Sequence, residues 1–413
     1  MGNNPKANLD RVSQQTQREN ERFLAMRPKS RAALERARQS MPRGVPMSWM
    51  TSLYHHARFF VAEATGIHFT DIDGNHNKDF KLGIAAVFCS HNPAPTISAA
   101  CRRMARGSIL QLPPDDAIWV GEELQRRYRQ PKWQVTIAAS QANAELLLLA
   151  HLASHRKKVL LFEGKYHGHV APLLAAESNG DVVPGYRRIQ AEEARETLIV
   201  PFNDLAAVES ALRSGEAAPI LTEPAVTNFG LISPSAGFHR ELRSLAGRYG
   251  ALLAINETQT QTCSYGGLSR LWNIDSDALV IGKSMASVLE PMAGPHEQPR
   301  GSVDEPALGG TIFANAVAMA ACRAIGRPSR RRPPRHPGST AAGVVDHSSR
   351  HSRLVLLCQR ISKEFPGGGA GRSSAAARPA ATLPGKPWDL GLRRVGWPDR
   401  RNSGGDRRHR CVC

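Results

Sequence analysis

The sequence predicts an α/β fold with a mostly parallel sheet flanked by helices, and three features lead there. Five short continuous apolar runs, at residues 159–162, 198–202, 219–222, 251–255 and 278–281, have the length of strands buried on both faces. Amphipathic segments at residues 115–128, 141–154, 205–214 and 237–249 are long enough for helices. The two kinds alternate, which calls for right-handed crossovers and places a ligand beyond the carboxyl ends of the strands.

Taken in order, residues 1–40 form a charged, helix-prone lead-in whose apolar residues Phe23, Leu24 and Met26 are spaced for one face. Residues 41–110 read as the N-terminal part of a small domain and the entry to a large one. Residues 111–325 carry the strand–helix alternation. Within them Asn203-Asp204 marks a helix start, and Gly250 marks a helix stop before the next strand. Residues 326–413 change in texture and are rich in Arg, Pro, Gly and Ser.

The bulk composition bounds the function. A chain of 413 residues suffices for one large domain and a smaller one, and 41% hydrophobic with 22% charged residues is ordinary for a globular protein. The net charge of +18 is concentrated: residues 327–413 hold 19 of the 54 Lys/Arg but only 5 of the 36 Asp/Glu. Those arginines lack interleaved aromatics, so nucleic-acid binding is expected to be no more than weak, salt-sensitive and sequence-independent. Such a tail cannot bury enough apolar area to offset chain entropy, and only residues 354–358 read as a core strand or helical turn. It is expected to be disordered or the product of a shifted reading frame. Seven cysteines include no Cys-x-x-Cys pair, and His55 and His56 have no carboxylate or thiol in ligand register, so no metal site is expected. The first 39 residues are polar, without a signal-peptide core, and no run approaches the roughly 18 apolar residues of a membrane span. The expected location is the cytoplasm, without a membrane partner.

Chemistry centres on Lys283, which ends the run Ala-Leu-Val-Ile-Gly-Lys just past a buried strand. An amine there, flanked by apolar residues, can be partly neutral and nucleophilic. Asn256-Glu257-Thr258-Gln259-Thr260 ends the preceding strand, Tyr166-His167-Gly168 follows the strand ending in Glu163-Gly164, and Glu223-Pro224 closes another. Ala139-Ser140-Gln141-Ala142-Asn143 opens a helix. Downstream come Gly310-Thr311 and Asn315; upstream, Thr70, Asp71, Asp73, Gly74 and Asn75, then Asp79-Phe80 and Ser90-His91-Asn92-Pro93.

In this order these motifs resemble the class III aminotransferases, pyridoxal-phosphate enzymes of fold type I, and within them the glutamate-1-semialdehyde aminomutase-like branch. The resemblance covers roughly residues 40–325. It implies that Lys283 holds pyridoxal 5′-phosphate as a Schiff base and shuttles the substrate proton. It further implies that Tyr166, with His167 beside it, stacks on the ring and that Asn256 meets the pyridine nitrogen. Ser140 and Gln141 would bind phosphate, Glu223 and Gln259 would support the site, and Thr311 would reach the phosphate in a partner subunit of a homodimer. Residues 111–325 would be the cofactor-binding domain. The implied reaction is transfer of an amino group between an amino acid or amine and a keto acid. The alternatives are an aminomutase, which makes both transfers on one molecule, and a catalytically impaired descendant.

Four departures from the family pattern stand out. Asn256 replaces an aspartate; asparagine can hydrogen-bond the ring nitrogen but brings no negative charge, which predicts slower proton abstraction. Glu257, next on the strand, is expected to face away. Ala139 replaces a glycine and narrows the approach to the phosphate. Residues 284–306 are Pro- and charge-rich where the family has a Gly-rich stretch and an apolar strand, and residues 327–413 do not resemble the family's compact small domain.

Overall fold

The computed structural model describes residues 5–52, 56, 58–185, 191–228, 230–285, 292–294 and 309–326. The 354–358 run, the arginine-rich tail, His55 and most of residues 286–308 lie outside the described residues.

The chain opens with two helices, α1 (Pro5–Ala25) and α2 (Pro28–Ala37), followed by an antiparallel sheet of β1 (Val61–Thr65), β2 (His68–Asp71) and β3 (His76–Lys78). Two carboxylates join them, Asp71 buried and Asp73 partly exposed. Asp73 accepts the backbone N–H groups of Lys29 and Ser30 at 2.6 and 3.0 Å, which stand at the amino end of α2, and the Ser30 hydroxyl at 2.6 Å. Asp71 accepts the N–H groups of Asp73 and Asn75 and pairs with Arg27 at 2.9 Å. The Arg27 guanidinium also lies 3.8 Å from the Phe23 ring centroid. The expected apolar face of α1 reduces to Phe23, which meets His56 and Phe59, while Leu24 and Met26 are exposed.

Next come α3 (Ala94–Met104), α4 (Asp115–Tyr128), the short strand β4 (Gln134–Thr136), α5 (Ala139–Ser154) and β5 (Lys158–Phe162). A hairpin of β6 (Ala175–Ser178) and β7 (Asp181–Pro184) leads through α6 (Ala191–Arg195) to β8 (Thr197–Val200), α7 (Leu205–Leu212) and β9 (Ala217–Thr222). Then follow α8 (Phe238–Tyr249), β10 (Leu253–Asn256), α9 (Gly267–Leu271), β11 (Ala278–Val280), β12 (Met292–Gly294) and α10 (Ala316–Gly326). All five expected strands and all four expected helices form, with ends shifted by no more than two residues. Asp204 caps α7 by accepting the Ala207 N–H at 2.9 Å, and Gly250 ends α8 in a left-handed conformation. Residues 284–306, expected to lack an apolar strand, contribute β12, which pairs antiparallel with β4.

The main sheet is parallel, in the order β11-β10-β9-β5-β8. Its two faces are both covered, which is why each strand is a continuous apolar run. Leu160, Phe162, Ile220, Leu253 and Ile255 pack on one face with Leu124 of α4, Leu212 of α7, Leu242 of α8 and Met319 of α10. Val159, Leu161, Leu221, Ala254 and Val280 point to the other face, against Ala142, Leu146 and Leu147 of α5. Burying each large side chain contributes about 1.5–3 kcal/mol. After β5 the chain places β8 on one side and then crosses to build β9, β10 and β11 on the other. The strand order therefore reverses at β5, and a crevice opens at that end of the sheet.

Candidate active site

A cavity of about 190 Å³ lies at the carboxyl ends of β5, β9, β10 and β11. Each strand delivers one part of its wall. The loop after β5 brings Tyr166, His167 and Gly168; Glu223 follows β9; β10 ends at Asn256, with Thr258 and Gln259 just beyond it; the turn after β11 brings Lys283. The amino end of α5 adds Ala138, Ala139 and Ser140, and a loop from the N-terminal region adds Gly83 and Ala86. Of the residues expected at the site, Lys283, Ser140, Tyr166, His167, Glu223, Asn256 and Gln259 thus line one cavity. Gln141 is exposed and outside it. Thr311 is exposed and borders a second cavity, of about 680 Å³, between residues 108–113 and 309–316.

Close packing holds the wall in place. Asn143, wholly buried in α5, donates to the His167 carbonyl at 2.8 Å. Ser140 Oγ accepts the His169 N–H at 3.0 Å, so α5 and the loop after β5 are tied at two points. Gly168 has φ 93°, and a β-carbon there would lie 2.9 Å from Ser140 Cα and nearer still to its Oγ. Lys283 itself has φ 46°, a conformation a lysine rarely adopts, in the turn that ends β11. Gln261 stabilises that turn: its Nε2 donates to the carbonyls of Gly282 and Thr258. On the opposite side the Asp79 carboxylate pairs with His91 at 2.8 Å and accepts the Lys81 and Leu82 N–H groups, which fixes the loop carrying Gly83 and Ala86.

The electrostatics separate the groups. His167 is 1% exposed, and burial, followed by the Lys165 charge, pushes its imidazole down to about 3, so it is neutral. Glu223 is buried, and burial pushes its carboxyl up to about 7, against the Thr227 and Asn228 hydrogen bonds and the Lys283 charge, which lower it. Glu257 turns away from the cavity, as expected, and accepts from Thr260 Oγ1 and the Ser269 N–H. The amino end of α5 has no side-chain cap, and within the helix its first N–H groups have no acceptor. Two further buried polar atoms, His167 Nε2 and Thr258 Oγ1, have no hydrogen-bond partner among the described residues. Sequence reasoning missed Gly83, Ala86, Thr258 and Gln261. A buried Gln so close to a strand end is the one signal that could have flagged the last.

The class-III aminotransferase model matches residues 50–327. The chain belongs to the class-III aminotransferase family. Glutamate-1-semialdehyde 2,1-aminomutase from Desulfovibrio desulfuricans is 33% identical over 276 residues, 63% of this chain and 64% of that protein. The same enzyme from Roseiflexus castenholzii is 31% identical over 314 residues, 72% of this chain and 69% of that protein. The chain therefore spans just under two thirds of the length of the first relative. The crystal structure of a glutamate-1-semialdehyde aminomutase from Pseudomonas aeruginosa aligns with a TM-score of 0.72 at 35% identity, over 77% of this chain and 74% of that one. An omega-transaminase from Sphaerobacter thermophilus aligns with a TM-score of 0.67 at 22% identity, which speaks to the fold. These likenesses place this class-III chain in fold type I, on the aminomutase-like branch. Among its described residues no helix is long and apolar enough to cross a membrane, and no cluster of His, Cys, Asp or Glu is arranged to hold a metal.

Proposed function

We propose that this chain binds pyridoxal 5′-phosphate and transfers an amino group between an amino acid or amine and a keto acid. One observation carries the reading: five separate segments bring Lys283, Tyr166, Ser140, Glu223 and Asn256 to one cavity. The residues present fit the cofactor. The uncapped end of α5 and the Ser140–Gly168 cradle suit a phosphate dianion, and the unpartnered His167 Nε2 and Thr258 Oγ1 suit a polar ring.

In this assignment the Ser140 hydroxyl and the first amides of α5 would bind the phosphate, Tyr166 would stack on the ring, and Asn256 would meet the ring nitrogen. Gln259 would support the ring, and Glu223 lines the same cavity as Lys283. Lys283 Nζ would hold the cofactor and would carry the proton to and from the substrate Cα. When bound, the cofactor supplies an aldehyde that captures amines and a conjugated ring that draws electron density from that carbon. The neighbouring lysine, Lys165, is no substitute: it donates to the Ala175 carbonyl and does not line the cavity.

A homodimer completes the reading. Thr311 does not line this chain's own cavity, and Ile109, Leu110 and Leu112 stand exposed around the second one, as a surface awaiting a second copy would. Sedimentation at micromolar concentration should give twice the chain mass. An aminomutase, like the named relatives, would use the same residues on one substrate. The cytoplasm remains the proposed location.

The test is the visible spectrum of the purified chain with added pyridoxal 5′-phosphate. A band that forms in the wild type and is lost in Lys283→Ala supports the reading. An amino donor should then bleach it. A band that no donor bleaches would favour an impaired binder, the reading that Asn256 suggests; no band at all would end the proposal.

A further inference from the structure

Asn256 faces the cavity with its amide locked in one orientation. Its Oδ1 accepts the backbone N–H of Thr258 at 3.0 Å, and a backbone N–H can only donate, so oxygen and nitrogen cannot exchange places. The other end, Nδ2, lies 3.1 Å from His167 Nδ1. An amide nitrogen has no lone pair to offer, so Nδ2 donates and His167 Nδ1 accepts. His167 therefore carries its hydrogen on Nε2, the atom that is buried without a partner among the described residues. The imidazole stays neutral, since burial pushes it down to about 3.

This part of the wall thus presents hydrogens and no negative charge. Among the cavity-lining residues the one carboxylate is Glu223, at the end of the strand next to Asn256, and it is already engaged: it accepts from Thr227 Oγ1 and Asn228 Nδ2 and feels the Lys283 charge. Glu257 is the nearest acid in sequence, but its carboxylate is committed to Thr260 and Ser269. A cationic ring nitrogen at Asn256 would be desolvated with no unengaged carboxylate among the cavity-lining residues to compensate it. A neutral one would accept the second Nδ2 hydrogen.

Resting on the cofactor assignment above, we infer that Asn256 is a hydrogen-bond donor to the ring nitrogen of pyridoxal 5′-phosphate and that the chain holds this nitrogen unprotonated. Asn256, Thr258 and His167 then act as one unit: the backbone sets the amide, and the amide sets the imidazole tautomer. The consequence is a weaker electron sink than a protonated ring, which favours exchange at the amine over deep withdrawal of charge from Cα.

The experiment uses the full chain loaded with pyridoxal 5′-phosphate labelled with nitrogen-15 in the ring, and reads the ring-nitrogen resonance without any turnover. The wild type should show the unprotonated shift, and Asn256→Asp should move it to the protonated one. A companion measurement needs no variant to fold: the ring-N-methylated cofactor, a fixed cation, should bind the wild type at least about tenfold more weakly than the parent. A protonated shift in the wild type, or equal binding of the two cofactors, overturns the inference while leaving the cofactor assignment intact. A chain that takes up no cofactor overturns both.

Discussion

Ser140 and Gly168 meet so closely that no side chain fits between them: a β-carbon on residue 168 would reach within 2.9 Å of Ser140 Cα. The contact joins the amino end of α5 to the loop after β5, and with it the phosphate end of the proposed site to its aromatic wall. Gly168→Ala must both leave φ 93° and push Ser140 away. The strained backbone alone costs about 1–3 kcal/mol. Thermal melting should show that loss, and a titration with pyridoxal 5′-phosphate should show weaker binding. A variant that melts and binds like the wild type would mean the cradle is looser than drawn.

Gln261 never touches the cavity, yet it holds the carbonyl that precedes Lys283. Gln261→Leu leaves the Gly282 and Thr258 carbonyls without that donor, at about 1–3 kcal/mol for each buried acceptor left unsatisfied. The fold should survive on its apolar core, while the amine at 283 loses its fixed position. Borohydride trapping followed by mass spectrometry of the Lys283 peptide should show a smaller modified fraction at equal cofactor concentration, with an unchanged far-ultraviolet circular dichroism spectrum.

The buried Glu223 carboxyl links stability to pH. Its carboxyl rises from 4.5 to about 7 on folding, so between those values the folded chain binds more protons than the unfolded one. The protonated group favours the fold fully below pH 4.5, and that contribution is lost as pH rises to 7. Glu223→Gln cannot ionise and should remove this component of the slope. Urea midpoints measured from pH 5 to 7.5 for both proteins should diverge, the variant gaining relative stability towards the alkaline end. Parallel curves would show that Glu223 ionises freely in the fold.

In the N-terminal region the buried Arg27–Asp71 pair organises both helices against the small sheet. Removing one partner strands a charge, at about 3–5 kcal/mol for a buried pair. Arg27→Ala should therefore raise hydrogen exchange across β2 and β3 and leave exchange in the main sheet unchanged. Loss confined to α1 would mean that Asp71 is held by its backbone donors alone.

Much of this molecule follows from local chemistry. Runs such as 159–162 had to be buried strands because every second residue serves a different face and both faces are covered, by Leu242 and its neighbours on one side and Leu146 on the other. Asp204 and Gly250 end helices for reasons contained in their own side chains. Lys283, Tyr166, Glu223 and Asn256 were legible because each follows a strand, and strand ends in a parallel sheet converge. What lay beyond reach depends on contacts between distant residues. The β4–β12 pair joins three-residue segments more than 150 positions apart. Gly83 and Ala86 enter the cavity from the N-terminal region, and Thr258 proves to hold the Asn256 amide through its backbone, not its side chain. Sequence alone could say that residue 256 carries no charge. Only the tertiary structure could say which end of its amide faces which neighbour, because an amide's polarity is set by the donors and acceptors that packing brings against it.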